Sequence, residues 1–136
     1  MPPKRGDSTV KILLTNDDGV GAPGLVALEG IFSGDPIVIA PDRHLSGCSH
    51  AVTTWQGSIR AEQRGPRLWA IEGTPADCVR LGLDRLAADA DLVIAGINPG
   101  GNLGADIYYS GTVAAAREAA FHGKRGIAVS HYPKRG

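Results

Sequence analysis

Near the N-terminus, Asn16-Asp17-Asp18-Gly19 follows directly on the apolar run Val10 to Leu14. Two adjacent carboxylates concentrate negative charge at one point, which suits a hard divalent cation. Neighbouring side chains on a regular strand point to opposite faces, so both acids converge only where the strand has stopped. Gly19 lets the backbone turn there. A polar turn in which an Asp accepts from nearby amides would look the same in these residues alone. A second polar stretch, Pro41 to His50, carries Ser46 and Ser49, whose hydroxyls could reach a metal or a phosphate, and His44 and His50, which could move a proton. A third runs Gly96-Ile97-Asn98-Pro99-Gly100-Gly101-Asn102-Leu103-Gly104. Its glycines admit backbone amides close to an anion, and its two Asn side chains offer a carbonyl oxygen or an amide donor. A fourth, Ser110-Gly111-Thr112, opens a helical pattern. Its first turn would present free N–H groups and the positive end of the helix dipole to a phosphate, unless Ser110 is only an N-cap.

These clusters need elements to hold them. Val10 to Leu14 is short and branched and predicts a buried strand. Pro23 suits a first helical turn, and Leu25, Val26, Leu28, Ile31 and Phe32 continue it at helical spacing. Pro36 to Ala40 predicts a second buried strand, so the order is a parallel crossover, expected to be right-handed. Ala51 to Trp55, Ser58 to Arg60 and Arg67 to Ile71 read as extended. A turn at Gln63-Arg64-Gly65-Pro66 predicts a hairpin excursion at the sheet edge. Thr74-Pro75 starts a helix on which Val79, Leu83, Leu86 and Ala87 recur, with Cys78 beside them as packing. Asp91 to Ala95 predicts a strand, Val113 to His122 a helix ended by Gly123, and Gly126 to Ser130 a last strand. The fold class expected is α/β: a Rossmann-like three-layer sandwich with a mainly parallel sheet and a small hairpin excursion. Every polar cluster follows a strand or opens a helix, which puts them all on one rim.

The 136 residues are expected to form one domain, with residues 1–9 a flexible lead-in. The 14 basic and 14 acidic residues cancel without a basic stripe, so duplex nucleic acid is not an expected partner. No stretch is apolar for long enough to cross a membrane and no signal peptide is recognisable, so a cytoplasmic location is expected. Cys48 and Cys78 stand in no metal or redox spacing. A dinucleotide-binding domain is disfavoured, because acids rather than Gly-x-Gly-x-x-Gly follow the first strand and would repel a pyrophosphate.

Five stretches together carry a resemblance. They are Ile12 to Val20, the Ala40-Pro41-Asp42-Arg43 loop with Ser46-Gly47, Gly73 to Val79, Gly96-Ile97-Asn98 with Gly101 to Gly104, and Tyr109 to Ala119. In this order they closely resemble the SurE family of metal-dependent phosphatases that act on nucleoside monophosphates. The resemblance implies metal ligands at Asp17, Asp18, Ser46 and Asn98, and phosphate contacts from Asn102 and the Ser110-Gly111-Thr112 helix start. All four ligands would be oxygen donors, which favours one Mg²⁺ or Mn²⁺ over zinc. It implies hydrolysis of a nucleoside 5'-monophosphate, or another small phosphate monoester, by in-line attack of water. Asp17 and Asp18 are the catalytic candidates, Asp17 as ligand, base or nucleophile, and His50 would protonate the leaving oxygen. SurE chains continue past the last strand into segments that complete the sheet and build an oligomerisation arm. The resemblance therefore implies that this C-terminal portion is absent from the sequence; association as a dimer or tetramer is expected because an unfinished sheet leaves an exposed edge that invites pairing. A nucleotide- or phosphate-binding module without turnover is the alternative.

Overall fold

The computed structural model describes residues 10–44, 58–100 and 110–131. The expected lead-in and the extended Ala51–Trp55 segment lie outside the described residues, as do Ser46, Ser49, His50 and Asn102. Strands β1 (Ile12–Thr15), β2 (Ile37–Pro41), β3 (Ala61–Gly65), β4 (Leu68–Ile71), β5 (Leu92–Pro99) and β6 (Arg125–His131) form one sheet in the order β3-β4-β2-β1-β5-β6. All pairings are parallel except that of β3 with β4. Helices α1 (Pro23–Ile31), α2 (Pro75–Leu81) and α3 (Gly111–Phe121) complete the layers, with a π-helical turn at Gly82–Leu86 extending α2.

Alternation along β1 explains why the sheet is covered on both sides. Leu13 packs with Cys78, Val79, Leu83, Ala115 and Ala119, the side chains of α2 and α3. Its neighbour Leu14 packs with Leu25 and Leu28 of α1. Strands buried on both faces read as continuous apolar runs rather than as alternation. Cys78 is wholly buried in the first cluster, as its spacing implies.

The chain builds leftward from β1 through β2 to the β3–β4 hairpin, then returns to place β5 on the other side of β1. The carboxyl ends of β1 and β5 therefore flank the point where strand order reverses, where open α/β sheets form ligand crevices.

Three elements differ from the sequence expectation. Strand β3 continues through Gln63, Arg64 and Gly65, expected as a turn, with its register against β4 shifting between Gln63 and Gly65, and the reversal falls at Pro66 and Arg67. Its first four residues are exposed at the sheet edge. An edge strand whose side chains are exposed whichever way they point carries no apolar alternation, and its polar residues also guard the edge. Strand β5 continues beyond Ala95 through Gly96-Ile97-Asn98-Pro99, which its glycine and proline make look like a loop. Helix α3 begins at Gly111, two residues before the expected start.

Helix α2 starts on a reciprocal cap. Thr74 Oγ1 accepts from Asp77 N at 3.1 Å, and Asp77 Oδ2 accepts from Thr74 N at 2.9 Å. Asp77 also meets Arg80 Nη2 at 3.4 Å. The Gly-Thr-Pro-Ala-Asp stretch is therefore a device for starting a helix.

Candidate functional site

Thr15 ends β1 paired with Ala95, and the next three residues leave the sheet as the acid turn. Asn16 builds that turn. Its side chain is 1% exposed; Nδ2 donates to Gly19 O at 2.8 Å and Oδ1 accepts from Gly19 N at 3.1 Å. Gly19 has φ +103°, and a Cβ there would stand 3.1 Å from the Arg43 carbonyl, so a side chain would be both strained and crowded. The turn is anchored on its far side by Val20 N donating to Pro41 O at 2.8 Å. Asp17 and Asp18 thus sit on a closed loop fastened to the ends of two strands.

The two acids have different surroundings. Asp17 is 3% exposed, and its Oδ1 is buried without a hydrogen-bond partner among the described residues. Burial, then the neighbouring Asp18 charge, push the Asp17 carboxyl above the ordinary aspartate range; the nearby Thr112 hydroxyl pulls the other way. The hydroxyl is close, yet neither Asp17 Oδ1 nor Thr112 Oγ1 completes a hydrogen bond of good geometry. Asp18 is less enclosed and faces His44, whose Nδ1 lies 3.1 Å from Asp18 Oδ1. His44 is the histidine of the Pro41–His50 stretch that falls among the described residues.

Asn98 reaches the same side through an irregularity. On β5, Val93 and Ala95 face α2 and α3, whereas Ile94 faces α1. The pairing of β5 with β6 then shifts between Ala95 and Asn98, after which Ile97 packs on the α1 side. Asn98 therefore turns toward the face of Leu13 and Thr15, where α3 begins. Its Nδ2 donates to Gly100 O at 3.3 Å, which makes the amide oxygen the group of Asn98 that could serve as a ligand. Gly24 at the start of α1 lets this extension approach, since a Cβ there would lie 2.1 Å from Ile97 O.

Helix α3 supplies the opposite kind of group. Ser110 is its N-cap and accepts from Val113 N at 3.2 Å, as plain capping requires. Helix geometry leaves the N–H groups of Gly111 and Thr112 without intrahelical acceptors, and the helix dipole is positive there. Both residues are buried, and Thr112 is close enough to Asp17 to affect its ionisation. Of the residues expected in the site, the structure brings Asp17, Asp18, Asn98, Ser110, Gly111 and Thr112 to one rim. Ser46 and Asn102 lie outside the described residues. Asn16 is the contributor that the sequence reading passed over; its place between an apolar run and a glycine is the signal for a turn-closing side chain.

Among the described residues, no three His, Cys, Asp or Glu side chains converge as a metal-binding group. The donors present are two carboxylates and an amide oxygen, a set that fits a hard cation. The unpartnered Asp17 Oδ1 is the observation that such a group would satisfy. Beside Asp18, a cleft of about 820 Å³ is lined by Val20, Pro23, Ile97, Pro99 and His131. Among the described residues, no helix is long and apolar enough to cross a membrane.

Fold and rim together define a Rossmann-like α/β protein with an acid-tipped central strand facing a helix N-terminus at the switch point. The family model for survival protein SurE matches residues 12–135, and the chain belongs to the SurE family. It is 54% identical over 124 residues to "Putative 5'-nucleotidase alr3139" of Nostoc sp. (strain PCC 7120 / SAG 25.82 / UTEX 2576), covering 90% of this chain and 54% of that protein. It is 49% identical over 124 residues to "5'-nucleotidase SurE" of Anaeromyxobacter sp. (strain Fw109-5), covering 89% of this chain and 48% of that protein. The crystal structure of SurE protein from Aquifex aeolicus superposes with a TM-score of 0.85 at 40% identity, over 93% of this chain and 52% of that one. The chain spans about half the length of the curated relatives it matches.

Proposed function

We propose that the chain carries the metal and phosphate site of a 5'-nucleotidase, a hydrolase of nucleoside 5'-monophosphates. The observation that carries this reading is the buried, unpartnered Asp17 carboxyl oxygen on the tip of β1, beside the first turn of α3. The names of the curated relatives, 5'-nucleotidases about half matched by this chain, support the substrate class. Asp17, Asp18 and the Asn98 amide oxygen, with Ser46, would hold one Mg²⁺ or Mn²⁺. When bound, such an ion supplies Lewis acidity toward a phosphoryl oxygen and lowers the pKa of a bound water, worth several kcal/mol.

The chain's own residues do the rest. The Gly111 and Thr112 amides, with Asn102, would hold the non-bridging phosphate oxygens and align the ester for in-line attack. Preset amides need no reorganisation as charge redistributes, and that is where their contribution arises. Ser110 would fix the angle of that turn through its cap on Val113. His44, whose Nδ1 lies 3.1 Å from Asp18 Oδ1, would take or give a proton at Nε2. The small-phosphate-monoester substrate and the association of copies as a dimer or tetramer are parts of the same reading, as is a cytoplasmic location.

Phosphate release from a nucleoside 5'-monophosphate, assayed with Mn²⁺ and with chelator, tests the proposal. Metal-dependent release is expected. Tight nucleotide binding with no release in either condition would instead show a binding module.

A further inference from the structure

The Thr112 side chain has no part in the reading above, which uses only its backbone. Yet it is fully buried, and its hydroxyl oxygen has no hydrogen-bond partner. A Thr inside a helix ordinarily returns its hydroxyl to a carbonyl of the preceding turn. Thr112 is the second residue of α3, so no helical turn precedes it. The unpartnered Asp17 Oδ1 lies close by. Near the acid turn the Asn16 amide is committed to Gly19 O and His44 to Asp18, whereas the Thr15 hydroxyl is buried and unpartnered too; of the two threonines, Thr112 is the one that acts on the Asp17 carboxyl. Ser110 spends its oxygen on Val113 N. A buried hydroxyl and a buried carboxyl oxygen, each without a partner, are costly separately and complementary together.

We infer that Thr112 is a positioning residue for Asp17: its hydroxyl donates to Asp17 Oδ1 and holds the carboxyl with its second oxygen presented to the rim. The hydroxyl proton is free to rotate toward the carboxyl, so Thr112 can act as donor without giving up another bond. The lowering effect of Thr112 on the Asp17 proton affinity acts in the same direction. Helix α3 then serves the site twice, through backbone amides toward an anion and through one side chain toward the acid. The inference rests on the proposed metal site.

The test is Mn²⁺ binding by calorimetry or by electron paramagnetic resonance, on the full chain and on Thr112→Val and Thr112→Ser. Valine keeps the shape without the hydroxyl, whereas serine keeps the hydroxyl without the methyl. Thr112→Val is expected to weaken Mn²⁺ binding by about tenfold or more, and Thr112→Ser to stay within about threefold of the parent, as suits one hydrogen bond to a charged group. Parent-like binding by Thr112→Val overturns the inference, as does a Thr112→Ser as weak as Thr112→Val, which would make the methyl packing the cause. A parent chain that binds no Mn²⁺ at all overturns the site reading underneath it, so the two failures are distinguishable.

Discussion

Asp17→Asn should make the metal-free protein more stable. Asp17 is 3% exposed, and burial followed by the Asp18 charge raises its pKa above the ordinary 3.8. A carboxyl with a raised folded pKa holds its proton more tightly in the fold than in the unfolded chain. Its contribution therefore favours the fold below the ordinary pKa and is lost as pH rises through the folded value. At neutral pH the charged carboxylate is a net cost. Burying such a charge without a full set of partners costs about 1–3 kcal/mol, of which an isosteric amide should recover about 1 kcal/mol. For a domain of this size that is a rise in Tm of roughly 3–5 °C. Thermal unfolding by circular dichroism in chelator measures it, and the gap should narrow as pH falls through the Asp17 transition. Mn²⁺ should reverse the order, because a ligand at a hundredfold its Kd adds about 2.7 kcal/mol to the parent alone. An Asp17→Asn chain that melts below the parent in chelator would refute the reasoning and make Asp17 a structural turn residue.

Other substitutions separate the parts of the rim. Asn16→Ala removes both bonds to Gly19 and should destabilise the fold by about 2–3 kcal/mol while weakening Mn²⁺ binding, both read on the same samples. Thr74→Ala breaks the reciprocal cap of α2 and should cost about 1 kcal/mol in thermal unfolding, with phosphate release unchanged below the melt. Gly24→Ala would place a Cβ 2.1 Å from Ile97 O, forcing α1 off the β5 extension. A lowered Tm and weakened Mn²⁺ binding are expected together, since that extension carries Asn98.

What could be read from the residues, and what could not, follows from the range of the interactions involved. The acid turn was legible because an apolar run, two carboxylates and a glycine lie next to one another and need no partner to be recognised. Thr74-Pro75 and Ser110 were legible for the same reason, since caps are local. The β3 strand was not, because Ala61 to Gly65 pairs on one side only and exposes its side chains, so no burial pattern is written into it. Asn98 was expected in a loop and lies on a strand. The shift that turns it toward Asp17 exists only in the pairing of β5 with β6, thirty-odd residues further along. The inward hydroxyl of Thr112 depends likewise on how β1 and α3 meet. A single side chain's direction at such a junction leaves no mark on its neighbours in sequence.

The central claim is that one cation site lies at the carboxyl ends of β1 and β5, against the start of α3. Substoichiometric Mn²⁺ added to the isotope-labelled chain tests it most directly, because a paramagnetic ion broadens amide signals near it. The account predicts loss of signal at Asn16 to Gly19, Asn98, Gly111 and Thr112, with the opposite sheet end at Lys11, Asp89 and Asp91 untouched. Broadening centred on Asp89 and Asp91, or none at the acid turn, would contradict it.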